Sequence, residues 1–430
     1  MARSTPSRVT LHTTAARPPA IQEPAVAAPI LRLHGWVQPY AWGSRAELAR
    51  LQGRATPTAE PEAELWFGAH PRGPAVAEGI DGRRRPLHDV VADDPVGQLG
   101  ADVAARFGPT LPYLLKVLAV EHPLSLQVHP SEPQARAGFD DEEARGIPRD
   151  APERTFRDPW PKPELLCALT PFTALVGFRD PSRTVQLLRA LDVSALAGVA
   201  ERLEHGDDAA FGEVVRDLLT WPSADRATLV AAVSDAASTL LDGGPFADEA
   251  RHLVSLAAAY PCDPGVVVAS LLELVRLAPG EVVYLPPGQL HSYLHGTAVE
   301  LMAVSDNVLR GGLTAKHIDV DGVLALLDSR ALTTPLVASR DVGTEVVYDT
   351  GAPHFRLSRV QVDGEVVLDR RGPETLLVVE GDATASADGT DVPLAAGQAA
   401  FVPASARTLH LDGKASVFRA GVGDLEPASW

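Results

Sequence analysis

Gln127 and His129 lie one residue apart in the run Leu124-Ser125-Leu126-Gln127-Val128-His129-Pro130, whose alternation of apolar and polar positions reads as a β-strand. Successive side chains on a strand point to opposite faces, so the amide of Gln127 and the imidazole of His129 project into one space. Two further segments offer atoms of the same kind: Lys162-Pro163-Glu164 opens the apolar run Leu165-Leu166, and Pro286-Pro287-Gly288-Gln289-Leu290-His291 leads into another strand. Together Gln127, His129, Glu164 and His291 supply two imidazoles, one carboxylate and one amide oxygen. Such a set suits a divalent metal such as zinc, one per chain, held with room for water or substrate. A lone His in a strand is more often a hydrogen-bonded polar residue than a ligand. That blander reading is kept for His122, in a turn before Pro123, and for His295, before Gly296, both expected at the surface. His317 is given no metal role.

A second stretch, Glu300 to Lys316, gathers acid, amide and two cations beside Gly311-Gly312, where backbone can approach a ligand closely. Arg310 offers a planar fork to a phosphate and Lys316 a point charge. The alternative is a capped loop with solvated charges.

These residues need strands to hold them. From residue 30 to 179 the chain reads as short β segments at 31–37, 63–67, 114–119, 125–129, 164–169 and 173–178, separated by Pro and Gly, as in an antiparallel sandwich or barrel. Between 180 and 261 the apolar spacing changes to gaps of three and four, as in Val185 to Leu191 and Phe211 to Leu219, which predicts helices. Strand character returns near Gly280. The helices therefore read as an insertion, and the β domain must close across it for His291 to join Gln127, His129 and Glu164. An internal repeat aligns residues 277–286 on 394–403 without gaps, each copy a Gly turn, an apolar strand and a Pro. Where the first copy goes on to His291 the second has Thr408, so the second unit is expected to share the fold and lack this ligand, with His410 two residues further on.

At 430 residues the chain predicts two or three domains. Its 45% hydrophobic content is that of a globular protein, and no stretch approaches the roughly 18–20 apolar residues that span a bilayer. A net charge of −18, from 56 acidic and 38 basic residues, opposes nucleic-acid binding. Cys167 and Cys262 are the only cysteines, which argues against a disulfide framework and for a reducing cytoplasm. Residues 1–29, rich in Ala, Pro and Arg, are expected to form a disordered tail or an over-long start, with neither the apolar region of a secretion signal nor a clear amphipathic pattern.

With these segments assembled, the chain resembles the type I phosphomannose isomerases, zinc enzymes that interconvert mannose 6-phosphate and fructose 6-phosphate. The resemblance runs through Gln38 to Gly43, Glu64 to Pro71, Leu114 to Leu118, Ser125 to Pro130, Lys162 to Leu165, and Pro286 to Lys316, and covers about residues 30–320. It implies zinc ligands at Gln127, His129, Glu164 and His291, and an active-site arginine at Arg310. It also matches Lys116, Ser125, Lys162, Tyr293, Glu300 and Lys316 to pocket positions. Glu300 is expected to be the base of a cis-enediol mechanism, with Tyr293 as donor or orienter, and Lys116, Ser125 and Lys316 as phosphate-binding candidates. The family usually has a His before Lys-Pro-Glu, whereas Pro161 stands here, so no proton-shuttling role carries over to that position.

The implied fold is mainly β: a cupin (jelly-roll) catalytic barrel at 30–179 and 262–320, an inserted α-helical domain at 180–261 and a second cupin-like barrel at 321–430. The expected partner is a small-molecule sugar phosphate, with no nucleic acid and no membrane, for a chain acting as a monomer. Two other readings remain at this point: a non-catalytic sugar-phosphate-binding cupin, and another metal-dependent enzyme, either a sugar-phosphate isomerase of different substrate or an iron cupin oxygenase.

Overall fold

The structure is a computed structural model that describes residues 1, 29–151, 153–207, 209–332 and 336–425. The expected tail at 1–29 lies outside the described residues except at its two ends. The described chain forms two antiparallel sheets of 11 and 10 strands. The strands expected before residue 180 are present, among them Tyr113–Val120, Leu126–Val128, Glu164–Ala168 and Phe172–Phe178. The reading of that region as β alone is corrected in one respect. It also contains the helices Leu87–Asp93, Pro95–Leu99, Ala101–Phe107 and Glu132–Ala144.

Among the described residues six α-helices, from Pro181–Leu191 to Gly265–Ala269, and one 3-10 turn at Ser194–Leu196 separate the Phe172–Phe178 strand from its antiparallel partner Leu272–Leu277. The two strands hydrogen-bond to each other as if the helices between them were one long loop. The helices pack their apolar faces together around Phe211, Val214, Leu218, Val230 and Leu253, in a core continuous with Leu126 and Val128 beneath the site.

The 10-stranded sheet is organised by His291–Ala303, a 13-residue strand. Its first residues pair with Phe172–Phe178 and, at His291, with Gln127. Beyond Gly296 it pairs with Tyr113–Val120 on one side and Glu164–Ala168 on the other. The register slips between Tyr293 and His295, and Gly296 follows at φ 124°, where an added Cβ would meet Phe172 at 2.7 Å. Only glycine makes that bend without strain.

Sheet order does not follow chain order. Leu31–His34 pairs with Ala399–Val402, so the start of the described chain is a strand of the sheet built chiefly by its end. The two copies of the repeat fold alike around Gly280 and Gly397, both at positive φ, each followed by a short strand, Val282–Leu285 and Ala399–Val402.

The inserted helices touch the site sheet backbone to backbone. A Cβ on Gly265, the first residue of the Gly265–Ala269 helix, would sit 2.6 Å from the Cα of Gly312, and one on Gly312 would sit 2.5 Å from the Cα of Gly265. Asp263 fastens the same junction, its carboxylate accepting from the N–H of Gly265 at 2.7 Å and of Thr314 at 2.9 Å. No flexible side chain can yield there. Gly265→Ala is expected to cost about 1–3 kcal/mol in urea unfolding; an unchanged midpoint would show that the junction is looser than described.

Candidate active site

Two cross-strand rows build the site. The first is His291, Gln127 and Arg310, directly paired across three neighbouring strands and therefore on one face. His129, two residues beyond Gln127, follows the same parity just past the strand end. The second row runs Trp66, Lys116, Glu300 and Leu166, with Glu64 and Glu164 two residues away on the same face.

His129, Glu164 and His291 bring one potential ligand atom each within 4.8 Å of one another, and all three are buried. The Nε2 of His129 lies 3.3 Å from one oxygen of Glu164, and the Nε2 of His291 lies 3.4 Å from the other. Each imidazole is anchored from behind: Nδ1 of His129 is 2.8 Å from the carbonyl of Asn307, and Nδ1 of His291 is 2.9 Å from that of Gln289. A carbonyl can only accept, so both rings carry hydrogen on Nδ1 and turn the Nε2 lone pair inward. Nε2 of His129 is buried with no hydrogen-bond partner. An inward lone pair left unsatisfied beside a carboxylate is what a divalent cation requires, and the donor set fits zinc. Burial, then the Lys162 ammonium, push the His129 pKa down to about 4, which keeps the ring neutral and free to bind. Burial raises the Glu164 carboxyl, but Lys162 and His129 outweigh it and hold this group well below the usual carboxylate range.

Beside this triad lies a second buried cluster. Lys116 reaches Glu300 at 3.1 Å and Glu64 at 3.2 Å, and its ammonium stands over the Trp66 ring. The Tyr293 hydroxyl donates to Glu300 at 3.1 Å and lies 3.4 Å from Glu164, joining the two clusters. Burial raises the Glu300 carboxyl above its ordinary range; Lys116 opposes that rise, and the charges of Glu164 and Glu64 add to it. Burial, reinforced by Glu300 and Glu164, pushes the Tyr293 phenol well up, so it stays a donor. Burial works against the Lys116 charge, yet Glu300, Glu64 and Glu164 together drive its pKa up.

The structure thus gathers Gln127, His129, Glu164, Lys162, His291, Tyr293, Glu300 and Lys116 around one space. Lys162 pairs with Glu164 at 3.0 Å. Arg310 stands at the end of the Gln127 row, half-buried, and Lys316 lies exposed in the loop beyond it. Ser125 directly precedes the Gln127 strand. Lys116 has two anionic neighbours, Glu64 and Glu300. His122 and His295 are exposed, as expected of non-ligands.

Several members of the site escape sequence reasoning. Glu64 and Trp66 alternate in Glu64–Gly68, and a carboxylate in so apolar a strand is the one signal that could have found them. Asn307 is wholly buried: its side chain accepts from the N–H of Arg157 at 2.8 Å and donates to the carbonyls of Asp158 at 2.8 Å and Trp160 at 3.0 Å. Nothing local to Asp306-Asn307-Val308 announces that role.

Two antiparallel sheets, an inserted helical block and a buried His-Glu-His group with inward lone pairs define a cupin-type protein with a metal-binding site. The signature of the catalytic domain of type I phosphomannose isomerase matches residues 30–181. Mannose-6-phosphate isomerase of Escherichia coli (strain K12) is 37% identical over 386 residues, covering 89% of this chain and 97% of its own. A mutant of phosphomannose isomerase from Salmonella typhimurium superposes with a TM-score of 0.86 at 33% identity, over 92% of this chain and all of that one. A zinc-bound mannose 6-phosphate isomerase superposes with a TM-score of 0.84 at 33% identity, with the same coverage. The chain belongs to the type I phosphomannose isomerase family.

Lys116→Met would leave Glu64 and Glu300 buried without their shared ammonium, at an expected cost of about 3–5 kcal/mol. A carboxyl whose folded-state pKa exceeds its unfolded value binds its proton preferentially in the native state, so stability falls as pH rises through that window. Glu300 already lies on that side, and losing Lys116 moves it further. Urea unfolding should therefore show a larger penalty at pH 8 than at pH 5; equal penalties would place the carboxylates in better solvent than described.

Proposed function

We propose that this chain is a metal-dependent aldose–ketose isomerase that interconverts mannose 6-phosphate and fructose 6-phosphate through a cis-enediol, with zinc held by Gln127, His129, Glu164 and His291. The observation that carries the reading is the junction of two clusters through one hydroxyl: Tyr293 touches both Glu164 of the His-Glu-His group and Glu300 of the Lys116 cluster. A cation site and a buried carboxylate of raised pKa therefore lie side by side.

When bound there, zinc supplies polarisation of a carbonyl or hydroxyl oxygen. The transferred proton leaves C2 of the aldose and arrives at C1 of the ketose, so one base on one face of the enediol suffices. Glu300 is that base in this reading. Its raised pKa brings it nearer neutrality, where a carboxylate both accepts and returns a proton efficiently. Tyr293, kept protonated, orients Glu300 through its single O–H. Lys116 keeps Glu300 ionised between turnovers through its 3.1 Å contact. Lys162, close to Glu164 at 3.0 Å, offers a cation to developing enediolate charge, and Pro161 beside it brings no proton. Arg310 and Lys316, with Ser125, serve the phosphate end.

On this reading the catalytic unit comprises residues 30–179 and 262–320, interrupted by the helical unit 180–261 and followed by a cupin-like unit at 321–430. A cytoplasmic monomer completes the proposal. The free state of Cys167, buried, and Cys262, exposed, suits the reducing compartment in that proposal.

A coupled assay following fructose 6-phosphate from mannose 6-phosphate is expected to show activity that chelation abolishes and zinc restores. Isomerisation without oxygen uptake separates this reading from an oxygenase, and absence of any turnover would leave a binding protein. His129→Ala and His291→Ala should each abolish stoichiometric zinc by elemental analysis; a full complement in either would refute the site. Glu300→Gln should lower kcat by about 10²–10⁴-fold with zinc retained; near-wild-type turnover would remove Glu300 from the role of base.

A further inference from the structure

Most cations of the site and its surroundings are already engaged. Lys116 pairs with Glu64 and Glu300, Lys162 with Glu164, Arg72 with Asp306 at 2.9 Å, and Arg154 with Glu142 at 2.9 Å. Three have no carboxylate within ion-pair reach among the described residues: Arg310, Lys316 and Arg157. They also feel one another. The Arg310 guanidinium is depressed by burial and then by Arg157, and the Lys316 ammonium first by Arg310, then by burial and by Arg157. Like charges held together in a protein of net charge −18, with no carboxylate paired to them among the described residues, mark a place prepared for an anion from outside.

Arg157 is not left there by a loose loop. It belongs to a strap running from Arg154 to Lys162 whose other charges are all bonded. The side chain of Arg154 is fully buried and donates to the carbonyls of Ile147 at 2.6 Å and Phe156 at 2.7 Å. Glu142 accepts from the N–H of Thr155 at 3.0 Å and of Phe156 at 2.7 Å. Asp158 accepts from the N–H of Trp160 at 3.0 Å and of Asp306 at 2.8 Å. The N–H of Arg157 itself is held at 2.8 Å by Asn307, whose carbonyl meets His129 and which lies three residues before Arg310. The backbone of Arg157 is thus fixed within one residue's span of the His-Glu-His group, while its guanidinium has no partner among the described residues.

We propose that Arg157 is a second guanidinium of the anion-binding end of this site, gripping the substrate phosphate together with Arg310 and Lys316. The inference rests on the sugar-phosphate reading above and deepens it. A dianionic phosphate offers enough oxygens for two planar forks and one ammonium, and two forks fix its orientation where one would leave it free to swing. Arg157 acts on binding in both ground and transition states, so its loss falls on KM more than on kcat.

Arg157→Gln and Arg157→Lys are to be compared with the wild-type holoenzyme, using steady-state kinetics on mannose 6-phosphate and calorimetric titration with inorganic phosphate. The Gln variant is expected to raise KM about tenfold or more and to weaken phosphate binding by a similar factor, with kcat within about threefold and zinc content unchanged. Arg157→Lys should recover part of both losses. KM and phosphate affinity within twofold of wild type in the Gln variant would overturn the proposal. The titration needs no turnover, so it tests Arg157 even if the wild-type protein fails to isomerise mannose 6-phosphate, a result that would defeat the functional reading instead.

Discussion

Three carboxylates, Glu64, Glu164 and Glu300, share one buried face of one sheet, and the rest of the site is arranged around the cost of keeping them there. Removing an ionised carboxylate from water costs several kcal/mol unless charge and hydrogen bonds replace the lost hydration. Lys116 lies between Glu64 and Glu300, Lys162 beside Glu164, and Tyr293 gives its proton to Glu300 in a hydrogen bond. Two ammoniums against three carboxylates still leave negative charge in excess. The inward lone pairs of His129 and His291 converge on Glu164, and a divalent cation held there would offset that excess.

The same electrostatics assigns different duties to similar groups. Glu164, facing Lys162 and two imidazoles, is held strongly anionic, as a metal ligand should be. Glu300 is pushed the other way, first by burial and then by Glu164 and Glu64, which partly cancel the help of Lys116. One strand carries His291, Tyr293 and Glu300, so the two clusters cannot drift apart without unpairing the centre of the sheet. Behind them, Asn307 ties the imidazole of His129 to the strap that carries Arg157 and Lys162, and the Asp263 junction ties the Arg310 strand to the inserted helices. Precision at the site comes from these buried backbone contacts more than from the loops around the mouth.

Legible in the chain alone is whatever depends on short-range geometry. The period of a strand is enough to put Gln127 and His129 on one face, and helical spacing marks the inserted block from Val185 onward. The helix Glu132–Ala144 escapes because periodicity detects an apolar stripe, and this helix buries only Ala135 and Glu142; its start signal, the Ser131–Gln134 capping box, is present but lies among short β segments. That Lys116 lies between Glu64 and Glu300 is set by strand pairing and is not legible in its own segment.

Tertiary structure alone settles which of these pieces meet. Tyr293 and Glu300 are seven residues apart, an odd spacing that in a regular strand would send them to opposite faces. The register slip after Tyr293 and the bend at Gly296 reverse the parity, and the phenol reaches the carboxylate. Likewise no local pattern places Gln127 between His291 and Arg310, or Asn307 beneath Arg157, because those neighbours are set by strand pairing and side-chain contacts across more than 140 residues of chain. The sequence by itself determined the ligand types, their facing on each strand and the family to which they point. Folding decided the charge environment that sets Glu164 and Glu300 apart, since burial and long-range pairing, which fix a pKa, are not local properties of a chain.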